Sequence, residues 1–256
     1  MVKIEKIITK TPGVSATEHL DGEIAGLHPL AWTACAGQTL SFTPCGYYHI
    51  IVLVTGKAVF ESDGNIFTSD GKCTYVPAPD KALTIKADTD IYLMEFAFDK
   101  QDSDSADLVK FGTKFPIAIP YQDSIQYIDP YKSQKTISRM MIPHEILPRF
   151  SMGSVETWGD DLVKPHTHPM LDQLFFSFPE NDMDVLIDGT AYPMGGDMIL
   201  HIPLGSDHGV KVDGNRHLHY MWIDVMPDQE KGLERLNRTH KPTGLNRSFG
   251  VDGKEN

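Results

Sequence analysis

Residues 165–208 read PHTHPMLDQLFFSFPENDMDVLIDGTAYPMGGDMILHIPLGSDH, a series of short apolar and β-branched runs broken by Pro, Gly, Asn and Asp. Runs at 173–178, 183–187 and 198–203 have the length and composition of strands, and a further one follows at 217–225. Working outward, similar runs occupy 48–60, 72–77 and 91–98. Strands at this spacing predict an all-β sandwich or barrel. Between the two groups, from about 100 to 148, the text turns polar and Pro-broken (DKQDSDSADLVK, then PYQDSIQYIDPYKSQ), which reads as a connector. After Met226 a polar tail suggests one short helix and a mobile end.

The two groups are copies of one another. Sliding the chain by 125 residues lays Asp63-Gly64 on Asp188-Gly189 and Gly71 on Gly196; one residue more lays Pro77 on Pro203. Two copies of one β unit, each closing as a small barrel without free edges, are the expected architecture. The boundaries follow: an N-terminal barrel over 1–105, a connector over 106–145, a C-terminal barrel over 146–228 and a tail over 229–256.

Composition limits the partners. Of 256 residues, 41% are apolar, too many for a disordered chain, and 35 acidic against 23 basic side chains leave a net charge of −12. Such a field repels phosphate backbones and anionic lipid, so nucleic acid and membrane surfaces are excluded as expected partners. No run approaches the roughly 18 apolar residues of a membrane span, and MVKIEKIITKTPG lacks the apolar stretch of a secretory signal; a cytoplasmic location is expected. Cys35, Cys45 and Cys73 are odd in number and confined to one half, which argues for buried thiols over a disulfide framework.

His166 and His168 alternate at the start of the second unit's strands, so both imidazoles face one way. Gln173 opens the next strand, and His208 can return a third imidazole from a neighbouring one. Three imidazoles and a side-chain oxygen suit a transition metal and leave positions open for water or substrate. The same positions in the first unit are Ser41, Thr43, Tyr48 and Ala82, so that copy has the scaffold without the ligands, with His49 one residue out of register. Eleven histidines will form some pairs by chance, and His217-Leu218-His219 is weighed as such a pair.

The pattern H-x-H-x4-Q followed by G-D-x5-P-x-G-x-x-H resembles the two motifs of the cupin superfamily. It departs from the family at Gln173, where Glu is usual, and in the six residues between Gly196 and Pro203, where the usual spacing is five. The resemblance implies a bicupin of two tandem cupin (double-stranded β-helix, jelly-roll) barrels. The C-terminal one alone would bind one divalent transition metal (Zn, Mn, Fe or Ni) through His166, His168, Gln173 and His208. Over 165–224 the chain is similar to bicupin sugar-acid isomerases of the 4-deoxy-5-ketouronate and 5-deoxyglucuronate kind. That implies a small polar substrate, a keto sugar or sugar acid, with a general base moving a proton between neighbouring carbons. His219, His201 and Asp207 are the candidate bases, within a polar surround that also includes Ser177, Tyr192, Tyr220, Trp222 and Asp224. An iron dioxygenase and a non-catalytic metal- or sugar-binding module are the alternatives, and a homodimer is compatible with the two-barrel plan.

Overall fold

The computed structural model describes residues 2–7, 15–250 and 252–256. The chain divides into two compact units, Ile7–Asp123 and a second made of Met1–Lys6 with Ser124–Asn256. Among the described residues no helix is long and apolar enough to cross a membrane.

In the second unit a large antiparallel sheet runs in the order Lys3–Lys6, Met198–Ile202, Asp172–Ser177, His217–Val225, Phe150–Trp158, Ile137–Leu147, Ile125–Ile128, Lys241–Pro242. A smaller sheet has the order Asp161–His166, His208–Val212, Asp182–Ile187, Thr190–Gly195. The core lies between them: Val155, Phe175, Leu200, Tyr220 and Trp222 come from the large sheet, and Val163, Met183, Val185, Met194 and Val210 from the small one. Alternation accounts for this. Met183, Val185 and Ile187 are buried while Asp182 stays exposed, because successive strand side chains point to opposite faces. Ile187 and Thr190 close a two-residue hairpin over Asp188 and Gly189, whose φ of 48° and 78° are the left-handed pair that a tight hairpin requires.

The first unit repeats this plan. Its small sheet, Thr39–Phe42, Leu83–Ala87, Lys57–Ser62, Asn65–Asp70, has the strand order of its counterpart, and Asp63-Gly64 makes the same hairpin with φ of 50° and 76°. Its larger sheet, in the order Ile117–Pro120, Cys73–Val76, Tyr47–Thr55, Ile91–Asp99, Leu27–Ala34, Ser15–Glu18, likewise matches six successive strands of the second unit's large sheet.

Two expectations change, and one is met. The segment 106–145 is more than a connector, because Ile125–Ile128 and the start of Ile137–Leu147 are strands of the second unit's sheet. Its polar, Pro-broken text hides them: Ile125–Ile128 is short and near the sheet edge, with Ile125 and Ile128 exposed. The tail does form a helix, Gln229–Thr239, started by Asp228 accepting the Lys231 N–H, and Leu236 seals it against Leu171 and Met226. The thiols are not uniformly buried either. Cys73 is, Cys35 is half-buried, and Cys45 is exposed in the turn before Tyr47–Thr55, a placement that strand periodicity does not decide.

Gly196 marks where backbone packs on backbone. A Cβ there would stand 2.0 Å from the Pro179 carbonyl oxygen, whereas one on neighbouring Gly195 would meet nothing within 4 Å. Gly196→Ala is expected to cost at least about 2 kcal/mol in urea denaturation, and Gly195→Ala to stay within about 0.5 kcal/mol of the parent.

Candidate functional site

Strand Asp161–His166 pairs antiparallel with His208–Val212, and His166 lies directly opposite His208. The register shifts between Val163 and His166, across Lys164-Pro165; proline, lacking an N–H, suits such an irregularity. Gly209 lets the strands approach: a Cβ on it would sit 2.4 Å from the Val163 carbonyl oxygen. His168 lies just past the strand end rather than within it, yet its ring reaches the same point. Ring centroids are 4.9 Å apart for His166 and His208, 4.6 Å for His168 and His208, and 5.7 Å for His166 and His168. One nitrogen from each lies within 4.8 Å of the others.

The tautomers are fixed by backbone carbonyls. His166 Nδ1 is 2.8 Å from the Lys164 oxygen and His208 Nδ1 is 3.1 Å from the Ser206 oxygen. A carbonyl only accepts, so both Nδ1 atoms carry hydrogen and both Nε2 atoms keep a lone pair, the form a metal ligand needs. Burial lowers His168 to about 3 and His208 to about 4, with the neighbouring imidazoles adding to the effect; His166 is lowered for the same first reason. All three are neutral donors.

Gln173 enters from the adjacent large-sheet strand. Its Nε2 donates to Asp224 Oδ1 at 2.6 Å, while its Oε1 is buried without a hydrogen-bond partner. An orphaned buried acceptor is costly, and a cation among the imidazoles would satisfy it. The donor set therefore fits a divalent transition metal.

Asp224 is fully buried and raised to about 7 by that burial, against the opposing pull of Gln173 and Lys132. The pocket over the imidazoles is small, about 50 Å³, room for a few waters. Asp129, Lys132, Arg235 and His240 complete the lining. Lys132 is largely buried, 3.8 Å from Asp129 and 2.7 Å from the Tyr127 hydroxyl, and burial lowers its pKa. Arg235 reaches across from the tail helix over the ring of Tyr131, 5.2 Å away, which itself stacks on His166 at 4.2 Å.

The three candidate bases do not line this pocket. Strand neighbours Leu200 and Ile202 are in the core, so His201 points to the opposite face. Asp207 is exposed in the turn before His208, its backbone tied to Asp188. His219 alternates with Leu218 and Tyr220, which are in the core, and bonds Glu180 at 2.7 Å on the other side, in a cluster with Glu156 and His217. Of the wider polar surround, Tyr220, Trp222 and Asp224 do line the pocket. Asp129, Lys132, Arg235 and His240 escaped the sequence reading, since they lie in the supposed connector and tail with no periodic signal of their own.

No protein-family model matches the chain, and no curated protein does either. Among solved structures, an IolB-like protein from Salmonella typhimurium LT2 is similar over 88% of this chain and 93% of its own, with a TM-score of 0.70 and 12% identity. A cupin 2 conserved barrel domain protein from Leptotrichia buccalis covers 87% and 96%, with a TM-score of 0.57 and 14% identity. The oxalate decarboxylase of Lactobacillus farciminis covers 87% and 84%, with a TM-score of 0.65 and 11% identity. The fold is that of the cupins. Within this cupin fold the three imidazoles stand at one end of the core between the two sheets, beside Phe175, which packs edge-on to His208 at 6.0 Å.

His240 supplies a test of the pocket wall. Burial holds its pKa well below 6.5, and it packs 4.3 Å from Tyr127 and 5.1 Å from Trp222. The unfolded chain protonates this ring near pH 6.5 and the folded one does not, so its neutral burial costs nothing above that pH and progressively lowers stability below it. His240→Phe should therefore gain up to about 2 kcal/mol relative to the parent at pH 5 compared with pH 7.5, read by urea denaturation at both pH values.

Proposed function

We propose that the protein is a metal-dependent bicupin enzyme that moves a proton on a small keto or hydroxy acid, sugar acids included, in its C-terminal barrel. The observation that carries this reading is the convergence of three neutral imidazoles with the unpartnered Gln173 oxygen in a pocket that Lys132 and Arg235 also line. The N-terminal barrel would have no metal. His166, His168, His208 and Gln173 would hold one divalent ion, and its chemistry would be to polarise a carbonyl or hydroxyl oxygen of the substrate.

The chain's own groups supply the rest. Arg235, in the pocket lining, offers positive charge to a substrate carboxylate through its planar fork, while Lys132 is held beside Asp129. Asp224, on the inner face of its strand and hydrogen-bonded to Gln173, is the carboxyl group placed to take a proton from one carbon and return it to the next. Phe175, Tyr220 and Trp222 exclude water around it. The small volume supports a ligand of which the reacting end alone enters.

A second reading, iron-dependent oxygen chemistry, rests on the three imidazoles, which by themselves suit iron. Oxygen uptake with an iron-loaded protein separates the two.

Metal analysis of the purified protein should find about one equivalent of a divalent transition metal, lost in His208→Ala; equal metal in both would overturn the reading. In deuterated water, metal-loaded protein should exchange a carbon-bound hydrogen of its acid substrate, followed by NMR across a panel of keto and hydroxy acids. Asp224→Asn should retain the metal and lower that exchange at least about 100-fold, because an amide keeps the hydrogen bond from Gln173 but cannot carry the proton. Arg235→Gln should raise the KM for the acid with a smaller change in kcat.

A further inference from the structure

His217 and His219 face away from the three-imidazole pocket, and the second unit gives them partners of their own. Both stand on strand His217–Val225, where side chains two residues apart share a face. Leu218 and Tyr220 take the core side, so the two imidazoles stand together on the other. Glu156, on the neighbouring strand Phe150–Trp158, lies directly opposite His219 and one diagonal step from His217.

One donor atom from each of these three residues lies within 4.8 Å of the others. The distances favour a shared ion over finished hydrogen bonds. Glu156 is only 8% exposed, yet its two contacts, Oε2 with Arg139 and Oε1 with His217 Nε2, are both 3.3 Å long. A charge-assisted hydrogen bond closes to about 2.7–2.9 Å. Two donors bound to one ion at about 2.1 Å, at angles of about 90–109°, stand about 3.0–3.4 Å apart. The separation of His217 from Glu156 is therefore the one that a common metal sets. His219 is held as a metal-bound imidazole is held: Nδ1 donates to Glu180 Oε1 at 2.7 Å, which keeps the hydrogen there and the lone pair on Nε2. Trp158 stacks on His217 at 4.0 Å and fixes its plane. Nδ1 of His217 is bonded to no other described residue and reaches solvent, so it can take the ring hydrogen when Nε2 binds an ion.

We propose that Glu156, His217 and His219 form a second site for a divalent transition metal, zinc among them, on the face of the large sheet turned away from the core. Two imidazoles and one carboxylate are a donor set that zinc accepts, with water in the remaining positions. Glu156 Oε1 and the Nε2 atom of each imidazole are the ligating atoms, and Glu180 stays behind His219 to orient it. The site shares no residue with the three-imidazole centre and does not depend on the chemistry proposed there. It is the weaker of the two. It has one protein donor fewer, and its carboxylate is shared with Arg139, whose charge opposes the ion. The second site accordingly fills when metal is supplied, and purified protein retains the ion of the first centre alone.

Equilibrium dialysis of the full-length protein against micromolar zinc reads both centres. The parent should hold about two equivalents, Glu156→Gln and His217→Gln about one each, and His144→Gln, outside both clusters, as much as the parent. His208→Ala, which disables the first centre, should still take up about one equivalent when zinc is supplied, and adding His217→Gln to it should abolish that uptake. A His208→Ala protein that takes up no zinc overturns the proposal, and so do Glu156→Gln and His217→Gln proteins that bind as much as the parent. Metal lost from these two variants but not from His208→Ala would remove the first centre and leave this one standing. Urea transitions identify any cluster variant that has unfolded, in which case the uptake by His208→Ala decides.

Discussion

The candidate metal centre depends on one cross-strand pairing, His166 opposite His208 in the small antiparallel sheet. Side chains directly opposed on neighbouring strands have Cβ atoms about 4.5–5.5 Å apart, near enough for two imidazoles to converge. A slip of one residue would send His208 to the other face and bring Gly209 into its place. Two features hold the register. Gly209 admits the backbone of 163–165 at a distance no side chain would allow, and Pro165 sits in the irregular step that turns His166 toward its partner. His168 and Gln173 then approach from a loop and from the other sheet, so the four donors come from three parts of the unit.

The two copies show how one scaffold tolerates different interiors. In the second unit neutral imidazoles occupy the end of the small sheet, and a polar group, Gln173, faces them from the large one. In the first, Phe42 and Leu83 fill that end of the small sheet and close the core, and His49 on the large sheet is hydrogen-bonded to Glu95. The hairpins, strand orders and hydrophobic alternation agree between the copies. These features answer to backbone geometry and core volume, which are indifferent to whether the end of the core is polar or apolar.

A chain with a net charge of −12 nonetheless gathers Lys132 and Arg235 in the lining of its pocket. Net charge governs the distant field; within a few ångströms, in a low-dielectric wall, individual groups dominate. Asp129 beside Lys132 and Asp224 deeper in the pocket keep the site from being uniformly basic. The tail helix is part of this arrangement, because Leu236 anchors it on Leu171 and Met226 and so aims Arg235 inward.

Local pattern by itself determined the all-β class, most strand positions, the repeat with its Asp-Gly hairpins, and the histidines that come together. Each of these follows from short-range periodicity or turn stereochemistry, which a linear text records. Tertiary structure alone decided which face His219 and His201 present, that 125–147 and the tail belong to the second unit, and that Lys132, Arg235 and Asp224 meet over the imidazoles. It alone also put Glu156 against His217 and His219, since those residues come from two strands far apart in the chain. Pairing partners far apart in sequence are chosen by the sheet as a whole, and no local window carries that choice.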